Sequence, residues 1–72
     1  MGYKSDHGFR TDLWTSVTKG LPADLTRKAH THLGKHYPEE KDQMDYDALL
    51  AVVHEVMADY PEWSWNGQRW YQ

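Results

Sequence analysis

The sequence predicts an α+β, mainly helical fold, in which three helices are followed by a C-terminal two-stranded antiparallel β-hairpin. A long apolar run with a helical period predicts the central helix, and two shorter segments before it predict two more. Near the C-terminus, an Asn-Gly pair separates two tryptophan-containing segments, which predicts the hairpin. We expect residues 1–10 to form a flexible arm, with Phe9 docking on the domain, and residues 11–72 to form one small domain.

The run from residue 45 to residue 60 predicts the core helix. Its apolar side chains fall on one broad arc when projected at about 100° per residue, and an arc this wide suits packing on more than one side. The arc consists of Tyr46, Leu49, Leu50, Val52, Val53, Val56, Met57 and Tyr60. Asp45 is the expected N-cap, because its carboxylate can accept a first-turn amide, and Pro61 is expected to end the helix.

The two shorter helices are predicted over residues 11–20 and 22–33. Thr11 is expected to cap the first helix and Gly20 to end it. Pro22 suits the start of the second helix because its missing amide costs nothing there, and Gly34 is expected to end that helix. The apolar faces are Leu13, Trp14 and Val17 in the first helix and Leu25, Ala29 and Leu33 in the second.

The hairpin prediction depends on Asn66-Gly67, because a type I′ turn needs positive φ at both of its central residues. A two-residue turn there pairs Trp65 with Gln68, Ser64 with Arg69, Trp63 with Trp70 and Glu62 with Tyr71. Side chains alternate along each strand, so one face carries Trp63, Trp65 and Trp70, and the other carries Glu62, Ser64, Arg69 and Tyr71. Because a lone hairpin is marginal in water, we expect the tryptophan face to lie on the helices.

Composition excludes several classes of protein. The chain has no cysteine, so disulfides, cysteine-ligated zinc and thiol catalysis are excluded. Its N-terminal segment lacks the apolar core of a signal peptide, and no apolar run is long enough to span a membrane. We therefore expect a cytoplasmic protein that does not bind a membrane. The four tryptophans and five tyrosines supply much of the apolar bulk that a longer chain would draw from aliphatic residues.

The histidines raise the question of a metal site. His30, His32 and His36 are closely spaced, and imidazoles four residues apart on a helix can share a zinc ion. However, Gly34 is expected to end the helix between His32 and His36. Histidines near a helix C-terminus also have a structural explanation, because positive charge is favoured there. We predict no metal site and no cofactor.

Enzymatic function is not predicted. The chain has no glycine-framed nucleophile and no glycine-rich phosphate loop, and 72 residues leave little room for a substrate pocket. The paired carboxylates at Glu39 and Glu40 and at Asp45 and Asp47 are explained by a solvated connector and by a helix start. We therefore predict that the protein is not an enzyme.

Nucleic-acid binding is the alternative function. Three helices and a hairpin follow the element order of a winged-helix domain, and Arg27, Lys28 and Lys35 could form a basic face on the second helix. Against this, the net charge is −3, and the third helix, which would occupy the recognition position, carries acidic residues on its exposed side. We therefore rank nucleic acid below protein as a partner.

The preferred prediction is a small protein-binding module, an accessory regulator or inhibitor of a larger protein. Aromatic residues and arginine dominate the binding energy of interfaces, and the hairpin carries Trp65, Arg69 and Tyr71. The exposed side of the third helix offers a second candidate surface. Its acidic residues are Asp47, Glu55 and Asp59. Neither the partner nor the oligomeric state follows from the sequence.

Overall fold

The computed structural model describes residues 9–72, and it confirms the predicted fold class. The elements are α1 (Thr11–Val17), α2 (Ala23–His36), α3 (Tyr46–Met57), β1 (Ser64–Trp65) and β2 (Trp70–Tyr71), with a 3₁₀ turn (Lys41–Gln43) between α2 and α3. The predicted docking of Phe9 is confirmed, since its ring lies 6.2 Å from that of Trp14. Arg10, the last residue of the predicted arm, pairs with Asp12 of α1, and residues 1–8 lie outside the described residues. Within residues 9–72, no helix is both long enough and apolar enough to cross a membrane.

The core is built around α3, which contacts both α1 and α2. Five of its predicted arc residues are buried: Leu49, Val52, Val53, Val56 and Met57. The predicted N-cap is confirmed, because the Asp45 carboxylate accepts the amide of Ala48 at 3.0 Å. The helix ends at Met57 rather than at Tyr60. A turn precedes Pro61, whose ring disfavours the helical conformation of Tyr60.

α1 is shorter than predicted, ending at Val17 instead of Gly20. Gly20 has a φ of 94°, which is outside the helical range. The carbonyl oxygen of Val17 accepts a hydrogen bond from the indole Nε1 of Trp70 instead of one from a backbone amide further along the helix. The prediction that Thr11 caps this helix is also wrong. Arg10 is the N-cap, because its carbonyl oxygen accepts the amide of Trp14 in the first hydrogen bond of the helix.

α2 is longer than predicted, because Gly34 does not end it. The helix begins one residue after Pro22 and continues to His36, where the amide of Tyr37 still donates to the carbonyl of Leu33 at 2.8 Å. Glycine favours a helix end through positive φ, and Gly34 does not adopt positive φ here. The predicted buried stripe of this helix, Leu25, Ala29 and Leu33, is confirmed.

The hairpin forms at the predicted place but in a different register. The observed register pairs Ser64 with Tyr71 and Trp65 with Trp70. No non-glycine residue between positions 9 and 72 has positive φ, so Asn66 lacks the positive φ that a type I′ turn requires, and the prediction of that turn is wrong. Instead, the side-chain oxygen of Asn66 accepts the amides of Gln68 and Arg69 at 2.8 and 2.9 Å, which shapes a four-residue loop. Since the register differs by two residues, each side chain keeps its predicted face. The rings of Trp65 and Trp70 accordingly lie 5.4 Å apart.

Candidate functional site

The hairpin is fixed to the end of α1 by Trp70, of which only 2% is exposed. Its indole Nε1 donates to the carbonyl of Val17 at 2.9 Å, and its backbone amide donates to the carbonyl of Lys19 at 2.7 Å. Its backbone also lies directly against Gly20, where a Cβ would collide with the Trp70 carbonyl oxygen. These contacts hold β2 in one orientation, and with it the exposed residues on either side of Trp70.

Next to this anchor, Tyr71 is 47% exposed, the one exposed large hydrophobic residue within positions 9–72. Arg69 is also exposed, but it lies in the loop and not in the strand that the sequence predicted. Trp65 is half-buried and pairs with Trp70 on the inner face. The hairpin therefore separates Trp65 from Tyr71, because neighbouring positions along a strand point to opposite faces.

The three acidic residues predicted as a second surface have different environments. Asp47 is exposed in the first turn of α3, where the helix dipole favours its charge. Asp59 is exposed in the turn that follows the helix, beyond its last residue. Glu55 alone has its carboxylate engaged by other side chains of the domain. The acidic residues thus do not form one uniform, unpaired surface.

Glu55 connects α3 to the C-terminal end of α2. Its Oε1 lies 3.0 Å from Nε2 of His32, and its Oε2 accepts the hydroxyl of Tyr37 at 2.8 Å. These hydrogen bonds, the one from His32 first, lower the pKa of Glu55 below its ordinary value, and burial opposes them. The hydrogen bond from Tyr37 to Glu55 is the main cause that raises the pKa of Tyr37 above its ordinary value. Sequence reasoning missed this cluster, because no local spacing relates residues 23 and 18 positions apart.

The three closely spaced histidines are divided between two sides of α2. The rings of His32 and His36 lie 4.3 Å apart, with a tilt of 38° between their planes. His30 instead lies 5.7 Å from the rings of Phe9 and Trp14. Across the described part of the chain, no group of three or more histidine, aspartate or glutamate side chains is arranged to hold a metal ion.

The three basic residues predicted for nucleic-acid binding lie together on α2. Arg27, Lys28 and Lys35 are exposed, and all three line a shallow groove of about 450 Å³ along the outer side of the helix. The ammonium group of Lys28 lies 6.0 Å from the ring centroid of Tyr60. Asp24 also lines this groove, so the basic side chains outnumber the acidic one, and the groove is open to solvent.

The exposed side of α3 lacks the basic residues expected of a recognition helix. A recognition helix presents one face to a DNA groove, and the face that α3 leaves exposed after contacting both other helices carries no lysine or arginine. Its exposed positions include Asp47 and Glu55, which would repel phosphate. Basic residues are concentrated on α2 instead.

No family model, curated protein or solved structure matches this chain. Support for a function therefore comes from the geometry and charge of residues 9–72.

Proposed function

We propose that the protein is a small protein-binding module, an accessory regulator or inhibitor of a larger protein, that contacts its partner through Tyr71 and Arg69. The observation that carries this proposal is the exposure of Tyr71 directly beside the buried anchor Trp70. A tyrosine held in place by a rigid neighbour loses little conformational entropy on binding. Tyrosine and arginine are also among the residue types enriched at interface hot spots.

The charges outside the hairpin support a partner with a basic surface. The net charge of the chain is −3, and Asp47 and Asp59 are exposed on and just after α3. Complementary charge of this kind mainly increases the association rate and the specificity. Glu55 contributes less, since its carboxylate is already hydrogen-bonded within the domain. Trp65 contributes mainly by packing against Trp70 behind the contact surface.

Affinity capture from native lysate tests the proposal, with the immobilised full chain as bait and with nuclease added throughout. We expect a protein to be retained by the wild type and lost with Tyr71→Ala or Arg69→Ala. Gln68→Ala is the matched control, because Gln68 is exposed in the same hairpin and carries no aromatic or charged group. Circular dichroism melts should be the same for all three variants. Equal retention by the wild type and Tyr71→Ala would contradict the proposed surface.

Nucleic-acid binding through α2 is the second candidate, and the cationic groove lined by Arg27, Lys28 and Lys35 favours it. The net negative charge and the acidic residues on the exposed side of α3 disfavour it. We expect no binding of random-sequence duplex near physiological salt in a gel-shift titration. Micromolar binding that Arg27→Glu or Lys28→Glu abolishes would reverse the ranking and make α2 the working surface.

A further inference from the structure

The continuation of α2 through Gly34 places His32 and His36 one helical turn apart on the same side of the helix. Their ring centroids are 4.3 Å apart, and both rings line the groove on α2. Bonds of about 2.0–2.1 Å from a zinc ion to two imidazole nitrogens require those nitrogens to lie within about 4 Å of each other. Rings this close can meet that requirement by small rotations about their side-chain bonds.

We propose that His32 and His36 chelate a transition-metal ion of the Zn²⁺ or Cu²⁺ type, with Glu55 as the positioning residue for His32. No metal site was predicted from the sequence, because Gly34 was expected to end the helix between the two histidines. That premise is wrong, since the helix continues to His36. The site is a two-ligand chelate, and water or a group from a partner completes the coordination.

Glu55 orients the first of the two imidazoles. A neutral His32 that donates its Nε2 proton to Glu55 Oε1, 3.0 Å away, leaves the lone pair of Nδ1 free to bind a metal. The hydroxyl of Tyr37 holds the other carboxylate oxygen at 2.8 Å, so the carboxylate itself is oriented. A carboxylate on the far nitrogen of a metal-binding imidazole fixes its tautomer and increases its basicity. The exposed fraction of the His32 side chain, 29%, leaves room for a hydrated ion to approach.

The charges around the groove set the expected strength of the site. Arg27, Lys28 and Lys35 line the same groove and repel a dication, and the carboxylates of Asp24 and Glu55 offset this repulsion only in part. With two protein ligands in place of the three or four of dedicated zinc sites, we expect a dissociation constant in the micromolar range. Imidazole sites bind Cu²⁺ more tightly than Zn²⁺, whereas Mg²⁺ and Ca²⁺ prefer oxygen ligands and should not bind.

Calorimetric titration of the full chain with Zn²⁺ at neutral pH tests the chelate. We expect one ion per chain, with the affinity reduced about tenfold or more by His32→Gln and by His36→Gln, since each removes half of the ligand set. His30→Gln is the matched control on the same helix, and His7→Gln tests the segment outside the described residues. Neither should change the affinity more than about twofold. Wild-type affinity in His32→Gln, or dependence on His7, would overturn the proposal.

The role of Glu55 has a separate test. Glu55→Gln removes the carboxylate charge but keeps a similar shape and a hydrogen-bonding group. We expect it to weaken Zn²⁺ binding by about three- to tenfold and to change the ring ¹⁵N chemical shifts of His32, which report its tautomer, more than those of His36. Unchanged shifts of His32 together with unchanged Zn²⁺ affinity would refute the positioning role and leave a chelate of two unassisted histidines.

Discussion

Gly20 lies at the contact between the end of α1 and the hairpin, where there is no room for a side chain. Its φ of 94° is a conformation that L-residues rarely adopt, and a Cβ placed on it would collide with the carbonyl oxygen of Trp70. The nitrogen and carbonyl carbon of Trp70 would be 3.0 and 3.1 Å from the same Cβ. Because these atoms are backbone, β2 as a whole would have to move. Gly20→Ala therefore perturbs the attachment of the entire hairpin.

The magnitude follows from two contributions. Holding an alanine at this φ costs about 1–3 kcal/mol. Displacing Trp70 weakens its two hydrogen bonds, to the carbonyls of Val17 and Lys19, each with a net contribution of about 1 kcal/mol. The free energy of unfolding should therefore fall by about 3–5 kcal/mol. At about 4–8 °C per kcal/mol for a domain of this size, the Tm should fall by at least about 12 °C.

Two other glycines provide matched controls in urea denaturation. Gly67 has nearly the same φ, 98°, but a Cβ there meets nothing within 4 Å. Gly67→Ala should thus incur only the conformational cost of about 1–3 kcal/mol, and Gly67→Val should cost more, because a β-branched residue resists positive φ more strongly. Gly34 lies in α2 with open space around it, so Gly34→Ala should stabilise the protein by about 0.5–1 kcal/mol.

The comparison between Gly20 and Gly67, which both have positive φ, isolates the effect of the contact with Trp70. Their conformational costs are similar, so the difference between Gly20→Ala and Gly67→Ala measures the contact with Trp70. Equal losses of unfolding free energy in the two variants would refute the close approach of β2 to α1. A destabilising Gly34→Ala would likewise refute the continuation of α2 through that residue.

Two further predictions concern α3. Asp45→Ala should lower the unfolding free energy by about 1 kcal/mol in urea denaturation, because it removes the cap on the amide of Ala48, whereas Asp45→Asn should retain most of the stability. Glu55 has a lowered pKa in the folded state, so its stabilising effect is complete above its ordinary pKa and is lost as the pH falls through the lowered value. The stability difference between the wild type and Glu55→Gln should therefore be present near about pH 6 and shrink towards about pH 3; a constant difference over that range would contradict the hydrogen bonds to Glu55.

The helices could be predicted where one periodic pattern dominates. The arc of α3 and its Asp45 cap followed from local chemistry, and so did the buried stripe of α2. The ends of the helices were predicted less well, because tertiary contacts determine them. α1 ends where the carbonyl of Val17 accepts the indole of Trp70. α2 continues past Gly34 to His36, and its C-cap residue Tyr37 donates its hydroxyl to Glu55. Neither contact has a signature in the neighbouring sequence.

The position of the hairpin could be predicted from the sequence, but its turn could not. Asn66-Gly67 correctly predicted where the chain reverses, but not the length of the loop. The side-chain oxygen of Asn66 accepts hydrogen bonds from two backbone amides of the loop, and this conformation competes with the type I′ turn. The sequence alone does not show which of the two conformations is the more stable. The prediction of which side chains share a face is still correct, because a register shift of two residues leaves each side chain on the same face of the hairpin. The cluster around Glu55 was not predictable, since it joins residues that are distant in the chain.

The bond from the indole of Trp70 to the carbonyl of Val17 joins residues 53 positions apart. Closing so long a loop has an entropic cost that is offset only by the contacts formed when the hairpin docks, so α1 and the hairpin should consolidate together at a late stage of folding. The same coupling should make unfolding cooperative, because α1 cannot fray at its C-terminal end without releasing β2. The amide hydrogen of Trp70 should accordingly exchange with solvent only through global opening, and it would serve as a reporter of the stability of the whole domain.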